Sequence, residues 1–269
     1  SEEFIDRYCV IEQRQVLNTK GAIEEAPCVV GFKNLTELHG IMDNFMIART
    51  AKDVGLPIPK AVEKITYVDM TDEQLEVYAE LRAEAEEMQK GAGKDIFSLI
   101  CRMQKAAMDL EIFDPDRFKG KHTDSPKYKA AVANILAGSK DGGQIVFIDS
   151  NDSHERLKGM LVAQGMKPEE IGIINAAAAP DSDARYEIGE AFNRGELKVV
   201  IGNTATMGEG VNLQILATDI HHLDIPWEPG TIIQRNGRGV RQKNVHSEVR
   251  VHTYLAKRSF DGYRWQTLK

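Results

Sequence analysis

The chain has little cysteine. Cys9, Cys28 and Cys101 lie far apart among 269 residues, with no C-x-x-C pair and no histidine at ligand spacing. That pattern excludes a cysteine-held zinc site, so no metal is assigned, and the odd count fits a reducing cytosol. No apolar run approaches the roughly 20 residues that cross a bilayer, and the start carries no signal-peptide pattern. A cytoplasmic protein with no membrane partner is expected. Repeats and low-complexity segments are absent. So is a P-loop. Gly91-Ala92-Gly93-Lys94 comes nearest, but Met88 stands where the first glycine of G-x-x-x-x-G-K-[ST] belongs, and Asp95 replaces the final Ser/Thr. A helical pattern rather than a strand precedes it. No D-E-x-H-like acid pair follows an apolar strand. No G-x-G-x-x-G follows the first strand of the repeating pattern, because Gly142-Gly143 comes before that strand, which argues against a Rossmann-type dinucleotide site.

What is present is ordinary in bulk and uneven in distribution. Hydrophobic residues make up 42% and charged residues 28%, as in a soluble globular chain with room for one good core and an appended helical region. The net charge of -7 argues at first against nucleic acid. Yet from Ile232 to Lys269 there are six arginines and three lysines against Glu248 and Asp261, whereas Asp72 to Glu87 holds seven carboxylates against Arg82. A basic C-terminal face can meet a phosphate backbone while the whole chain stays acidic. The opening Ser1-Glu2-Glu3, without Met, reads as a piece of a longer protein.

From Ser125 onward, short apolar strands alternate with helices. Ser125-Pro126 opens a helix; Gln144 to Ile148, Ile171 to Ile174, Leu197 to Ile201, Asp219 to Leu223 and Val249 to Tyr254 read as strands. Asp181 starts a further helix, and one from about Gly230 carries arginines. Strands of this length separated by helices imply a parallel sheet covered on both faces, with ligands beyond the carboxyl ends of the strands. The earlier part reads as mainly helical. Helices are expected over Asn34 to Thr50, from the Thr71-Asp72-Glu73-Gln74 capping box to about Lys90, and over Asp95 to Leu110, with one strand at Val62 to Val68. The expected divisions are 1–62, 63–124 and 125–269, with the last boundary in the turn-rich stretch Asp114 to Asp124.

Two segments carry chemistry. Val199 to Ile201 feeds the loop Gly202-Asn203-Thr204-Ala205-Thr206-Met207-Gly208-Glu209-Gly210-Val211-Asn212, and eighteen residues after Asn212 comes Gly230 to Gln242, with Gln234, Arg238 and Arg241 at spacings of four and three. Glycines let backbone amides approach an anion, and arginine forks neutralise a phosphoryl group in transfer. The spacing of three predicts Arg238 and Arg241 on one helix face. Gly208 and Gly210 permit close backbone approach, and Thr204 and Thr206 offer hydroxyls to a phosphate. Ser150 and Asn151, at a strand end, read either as backbone contacts or as a helix cap. Trp227 reads as packing the loop. His221 and His222 fall on opposite sides of a strand, which argues against a metal pair.

The order G-x-G-x-N-L, then Q-x-x-G-R-x-x-R, resembles the last two motifs of superfamily-2 helicases, and Trp227-Glu228-Pro229 between them resembles the Swi/Snf-type translocases. Further matches are Arg49-Thr50-Ala51-Lys52, Leu56-Pro57-Ile58-Pro59-Lys60, Gln74 to Tyr78, Ser125-Pro126-Lys127, Phe147 to Asn151 and Arg185 to Asn193; Phe4 to Tyr8 resembles the tail of the family's first lobe. The chain departs from the pattern at Ala48-Arg49, at Met207-Gly208-Glu209-Gly210 and at Lys243-Asn244. Its ending, Ser259 to Trp265, resembles helicase segments fused to bacterial or phage-type adenine DNA methylases.

The resemblance implies an α/β fold: a RecA-like parallel sheet with helices on both faces, preceded by a mainly helical region. It implies the second motor lobe of an ATP-dependent DNA translocase or helicase, whose upstream RecA-like lobe supplies the P-loop and the Mg2+-binding acids. Alone, the chain is expected to hydrolyse essentially no ATP. Arg241 takes the position of the arginine finger and Arg238 that of its partner on the phosphates. Gln234 couples nucleotide to the helix, Glu209 relays closure, and Asn212 pins the loop. Gly208, Gly210 and Gly237 join the nucleotide contacts; Thr204, Thr206, Ser150 and Asn151 face the nucleic-acid backbone. ATP, Mg2+, double-stranded DNA, the upstream lobe and a fused methylase domain are the implied partners. The alternative is a non-hydrolytic DNA- or partner-binding module derived from such a lobe.

Overall fold

In the computed structural model, residues 2–17, 23–47, 49–50, 53–89, 96–120, 125–207 and 210–268 are described. They fall into two compact units, Ser1–Leu56 with Glu84–Ser98, and Pro57–Ala83 with Leu99–Lys269. The Gly91-Ala92-Gly93-Lys94 decoy, Ala48, Ala51, Lys52, Gly208 and Glu209 lie outside the described residues.

The first unit opens with helix α1 (Glu2–Tyr8) and an antiparallel hairpin of β1 (Cys9–Leu17) and β2 (Ile23–Phe32). The residue pattern gives no warning of this hairpin. Glu12 to Gln15 is a polar run with no clean alternation, and only cross-strand pairing makes it a strand. Helix α2 (Leu35–Met42) follows Asn34 in the left-handed region (φ 55°). It ends well before the expected Thr50. Phe45 and Ile47 are 73% and 85% exposed, so further turns would gain no burial to offset the cost of ordering them.

The second unit contributes β3 (Lys60–Val68), most of the helices α3 (Asp72–Gln89) and α4 (Ile96–Met108), whose residues 84–89 and 96–98 fall in the first unit, and then α5 (Leu110–Phe113) and α6 (Pro126–Gly138). The anticipated capping box forms: Gln74 N–H donates to Thr71 Oγ1 at 3.2 Å and Thr71 N–H to Gln74 Oε1 at 3.0 Å. The buried Gln74 amide also donates to the Ala106 carbonyl at 2.9 Å, tying α3 to α4. Ser125 caps α6 with its hydroxyl and Pro126 sits in its first turn. The rest alternates: β4 (Gly143–Phe147), α7 (Asp152–Ala163), β5 (Ile171–Ile174), α8 (Ser182–Asn193), β6 (Val199–Gly202), α9 (Thr204–Met207), β7 (Ala217–His222), α10 (Pro229–Asn236), β8 (Glu248–Ala256) and α11 (Phe260–Leu268).

All six strands of the main sheet run parallel, in the order β3-β8-β7-β4-β6-β5. Alternate residues go to opposite faces, so two cores form. Val146, Ile148 and Ile201 pack with Tyr128, Ile135 and Leu157 on one side. Ile145, Phe147 and Val200 pack with Phe192, Met207 and Leu213 on the other. This is the α/β sheet covered on both faces that the pattern predicts. The chain fills the sheet on one side of β4 with β5 and β6, then crosses to the other side with β7 and β8. The order therefore reverses between β4 and β7, and crevices at such points hold ligands in open α/β sheets.

Two glycines test this packing. A Cβ on Gly202, at the end of β6, would stand 2.4 Å from the Ile174 carbonyl oxygen and 2.8 Å from Met207 Cγ. Gly202→Ala is expected to destabilise the protein by about 1–3 kcal/mol, as overpacked cores do. Gly159, inside α7, has open space around the same position. Gly159→Ala is expected to stabilise by about 0.5–1 kcal/mol, because glycine is a poor helix former. Urea unfolding of the two variants checks both signs.

Candidate nucleotide and nucleic-acid site

The carboxyl ends of β4, β6 and β7 are bound together by one side chain. Arg235, on α10, is fully buried. Its Nη2 donates to Asp149 Oδ2 at 2.9 Å, its Nη1 to Asp224 Oδ1 at 2.9 Å, and its Nε to Thr204 Oγ1 at 2.8 Å. Its guanidinium lies 5.3 Å from the Phe147 ring centroid. Asp149 follows β4, Thr204 follows β6 and Asp224 follows β7, so one fork spans three strand ends. Asp149 also accepts from the Thr204 N–H at 3.0 Å and hydroxyl at 2.8 Å, and its own N–H donates to Asp224. Burial pushes the Asp149 carboxyl up, but Arg235 and Thr204 together hold it below the usual carboxylate value. Asp224 goes the other way, because burial outweighs Arg235.

The loops expected to meet phosphate sit around this clamp. Asn151 is exposed and Ser150 half-buried. Asn203 Nδ2 donates to Asn151 Oδ1 at 2.8 Å, joining the β4 and β6 loops; Asn151 makes no side-chain cap to α7. Thr204 gives its hydroxyl proton to Asp149, and Thr206, buried, gives its own to the Ile174 carbonyl at 2.8 Å. Both threonine hydroxyls therefore brace the loop from inside. Gly210 has φ +74°, a conformation that favours glycine. Asn212 is exposed, and its carbonyl accepts from Asn193 Nδ2 at 2.9 Å. Asn193 Oδ1 accepts from the Ile215 N–H at 3.2 Å.

The arginines do not share a helix face as expected. Helix α10 ends at Asn236, with Gly237 as its cap in right-handed conformation (φ -63°). Gly239 then lies against β7, where an added Cβ would meet Ile220 Cδ1 at 3.1 Å. Two poor helix formers and this close approach turn the chain toward the sheet. Arg238 and Arg241 nevertheless bond adjacent residues at the end of the glycine loop. Arg238 Nη1 donates to the Val211 carbonyl at 3.0 Å, and Arg241 Nη1 to Asn212 Oδ1 at 3.3 Å. Gln234 is exposed on α10 and Arg241 is exposed beyond it.

A second polar network lies within the sheet. Asp219 accepts from Arg250 Nε at 2.7 Å, from His252 Nε2 at 2.8 Å and from Gln144 Nε2 at 2.9 Å. Burial pushes this carboxyl up, and those donors hold it far below the usual range. Because the Gln144 amide NH2 faces Asp219, its Oε1 must accept from His221 Nε2 at 3.0 Å; Nδ1 of the neutral ring then accepts from the Tyr254 hydroxyl at 2.9 Å. Asp219, His221 and His252 offer ligand atoms within 4.8 Å of one another. The Arg250 guanidinium on the same carboxylate opposes a cation there, and Asp219 has no oxygen to spare.

Arg235, Asp149, Asp224 and Asn193 hold this candidate site together, yet the sequence reading assigned none of them a site role of its own, although Asp149 and Asn193 lie in the matched segments Phe147 to Asn151 and Arg185 to Asn193. A signal was available: Asp149 and Asp224 each stand just past an apolar strand, and an arginine follows Gln234. Trp227, expected to pack the loop, is 48% exposed, with the Arg264 guanidinium 3.9 Å from its ring centroid.

Residues 127–243 match the helicase conserved C-terminal domain, and residues 15–112 match the SNF2-related domain. The chain is 25% identical to defense against restriction protein B of Escherichia phage P1 over 407 aligned residues, covering all of this chain and 18% of that protein. It is 25% identical to the DNA annealing helicase and endonuclease ZRANB3 of Mus musculus over 275 residues, covering 99% of this chain and 23% of that protein. The chain thus spans about a fifth of these relatives. The crystal structure of the C-terminal part of the Fun30 ATPase domain superposes with a TM-score of 0.64 at 15% identity, covering 79% of this chain and 90% of that one. The shared fold is RecA-like. Among the described residues no helix is long and apolar enough to cross a membrane.

Two outcomes follow for stability. Arg235→Leu leaves the Asp149–Asp224 pair uncompensated and is expected to cost about 3–5 kcal/mol. His154, His221 and His222 are buried, and burial holds all three below the usual value, His222 at about 3. The unfolded chain binds those protons near pH 6.5 and the folded chain does not. Stability is therefore full above that pH and falls as the pH drops, each histidine contributing a slope of at most about 1.4 kcal/mol per pH unit. Urea titrations between pH 7.5 and 5.5 measure the slope, and His222→Gln, if it folds, should reduce it.

Proposed function

Because this chain belongs to the Snf2-type superfamily-2 helicases, as their C-terminal lobe with the segment before it, we propose that it is the second motor lobe of an ATP-dependent DNA translocase. In this reading an upstream RecA-like lobe of the same protein holds ATP and Mg2+. ATP supplies the phosphoryl group whose transfer to water drives each step. This chain contributes cations and a nucleic-acid grip.

One observation supports the reading above the others. Arg238 and Arg241 each hold a backbone or side-chain oxygen of the glycine loop, at Val211 and Asn212. The groups that would touch nucleotide and the loop that would touch nucleic acid are then mechanically joined. Arg241 is exposed, and among the described residues its guanidinium makes one bond, to Asn212. It suits a finger that reaches a γ-phosphate when the lobes close, with Arg238 behind it and Gln234 and Gly237 at the entry. Ser150 and Asn151 would meet the backbone of double-stranded DNA, with Thr204 and Thr206 holding the loop in shape for it. Glu209 would relay closure. Similarity to a DNA annealing helicase favours DNA over RNA. A fused methylase domain remains part of the proposal on the resemblance of Ser259 to Trp265.

The test is ATP hydrolysis with and without duplex DNA, on the protein extended upstream to include the first lobe. DNA-stimulated turnover is expected, and Arg241→Ala should lower it by about 10³-fold or more. A folded protein that binds DNA with a steep salt dependence but hydrolyses no ATP would overturn the motor and leave a binding module.

A further inference from the structure

Beyond the carboxyl ends of β4 and β7, where the strand order reverses, the second unit carries a half-open cavity of about 360 Å³. That volume is in the range of small-molecule sites. It is lined by Ile148 to Ser150, just after β4, by Asp224 to Trp227, just after β7, by α4 and by Arg264 of α11. Most of the wall is apolar, from Met108, Ile112, Ile148, Ile225 and Pro226.

Arg264 is the unusual member. It is 5% exposed, and its Nη2 is buried with no hydrogen-bond partner among the described residues. Its guanidinium carbon lies 3.9 Å from the Trp227 ring centroid. The nearby acids have partners already: Asp149 and Asp224 hold Arg235, and Asp261 pairs with Lys127 at 2.5 Å. A buried guanidinium N–H without an acceptor is costly, and burial draws the Arg264 pKa down. Of the charges lining the cavity, Lys105 and Arg264 balance Asp149 and Asp224. The Arg235 that grips both acids leaves one positive charge in excess.

We infer that this cavity is a binding site for a small apolar molecule bearing one carboxylate, which docks its anion on Arg264 and its body against Trp227 and the aliphatic wall. A single negative charge matches the excess, whereas a phosphate dianion would face two carboxylates. The inference does not depend on the motor reading. Its occupant would touch Asp149, Ser150 and Asp224, the residues that set the strand-end loops.

The probe is 4-(trifluoromethyl)benzoate, followed by fluorine NMR on this chain, with alkylation of Cys101 by iodoacetamide as a second readout. Cys101 lines the cavity, while Cys9 and Cys28 do not and serve as internal references. Saturable broadening is expected, together with slower alkylation at Cys101 alone. The neutral 4-(trifluoromethyl)benzamide should bind at least about ten-fold more weakly. Arg264→Gln should weaken the benzoate by a similar factor, and Arg264→Lys should retain part of the affinity. Absence of saturable binding, equal binding of benzoate and benzamide, or equal protection of all three cysteines would overturn the inference. If Arg264→Gln does not fold, the two ligands and Cys101 still decide it.

Discussion

The architecture around the candidate site depends on a buried cation that must be shared. Arg235 has no water to solvate it, so its fork has to find anions and hydroxyls in the protein. It finds them at three strand ends, on Asp149, Thr204 and Asp224. The loops after β4, β6 and β7 are consequently not independent. A displacement of α10 is felt at each, and a change at any strand end is felt at α10. The Phe147 ring, 5.3 Å from the guanidinium, adds a cation–π contact to the fork.

The same economy recurs where the chain turns after α10. Gly237 and Gly239 end the helix and bring Arg238 and Arg241 down to the loop at Val211 and Asn212. A continuous helix would have carried both guanidinium groups away from that loop. The break is thus what allows one short segment to present an exposed cation on one side and hold a glycine loop on the other. Within the sheet, Asp219 gathers Arg250, His252 and Gln144 into a satisfied network. It registers β4, β7 and β8 laterally, and each of its buried polar groups has a partner, as buried polar groups require.

What was legible in the sequence was local. Caps at Thr71, Ser125 and Asp181 act within a turn of their own helices, and a strand buried on both faces shows itself as an apolar run. The alternation of such runs with helices carries the parallel sheet. The β1–β2 hairpin and the partner of β3 were not legible, because both depend on pairing across distance rather than on composition. The candidate site divides in the same way. The glycine loop and the arginine segment stand out by residue type and spacing. Arg235 does not, since its role arises from two aspartates far away in the chain, at 149 and 224. Helical spacing also misled at Arg238 and Arg241, where two glycines outweighed the period.

The pairing of β3 with β8 matters for how the protein is made. Lys60 sits opposite Glu248, a separation of 248 − 60 = 188 residues. A ribosome adding about 5–20 residues per second needs roughly 10–40 s to deliver the partner after β3 has emerged. For that interval the nascent chain carries an unfinished strand, with the edge amides that invite pairing with other chains. Lys60, Glu63 and Lys64 place charge along it, a safeguard that acts before the native sheet exists. Of the six strands described in this sheet, β8 is synthesised last and completes both its neighbours, β3 and β7, at once.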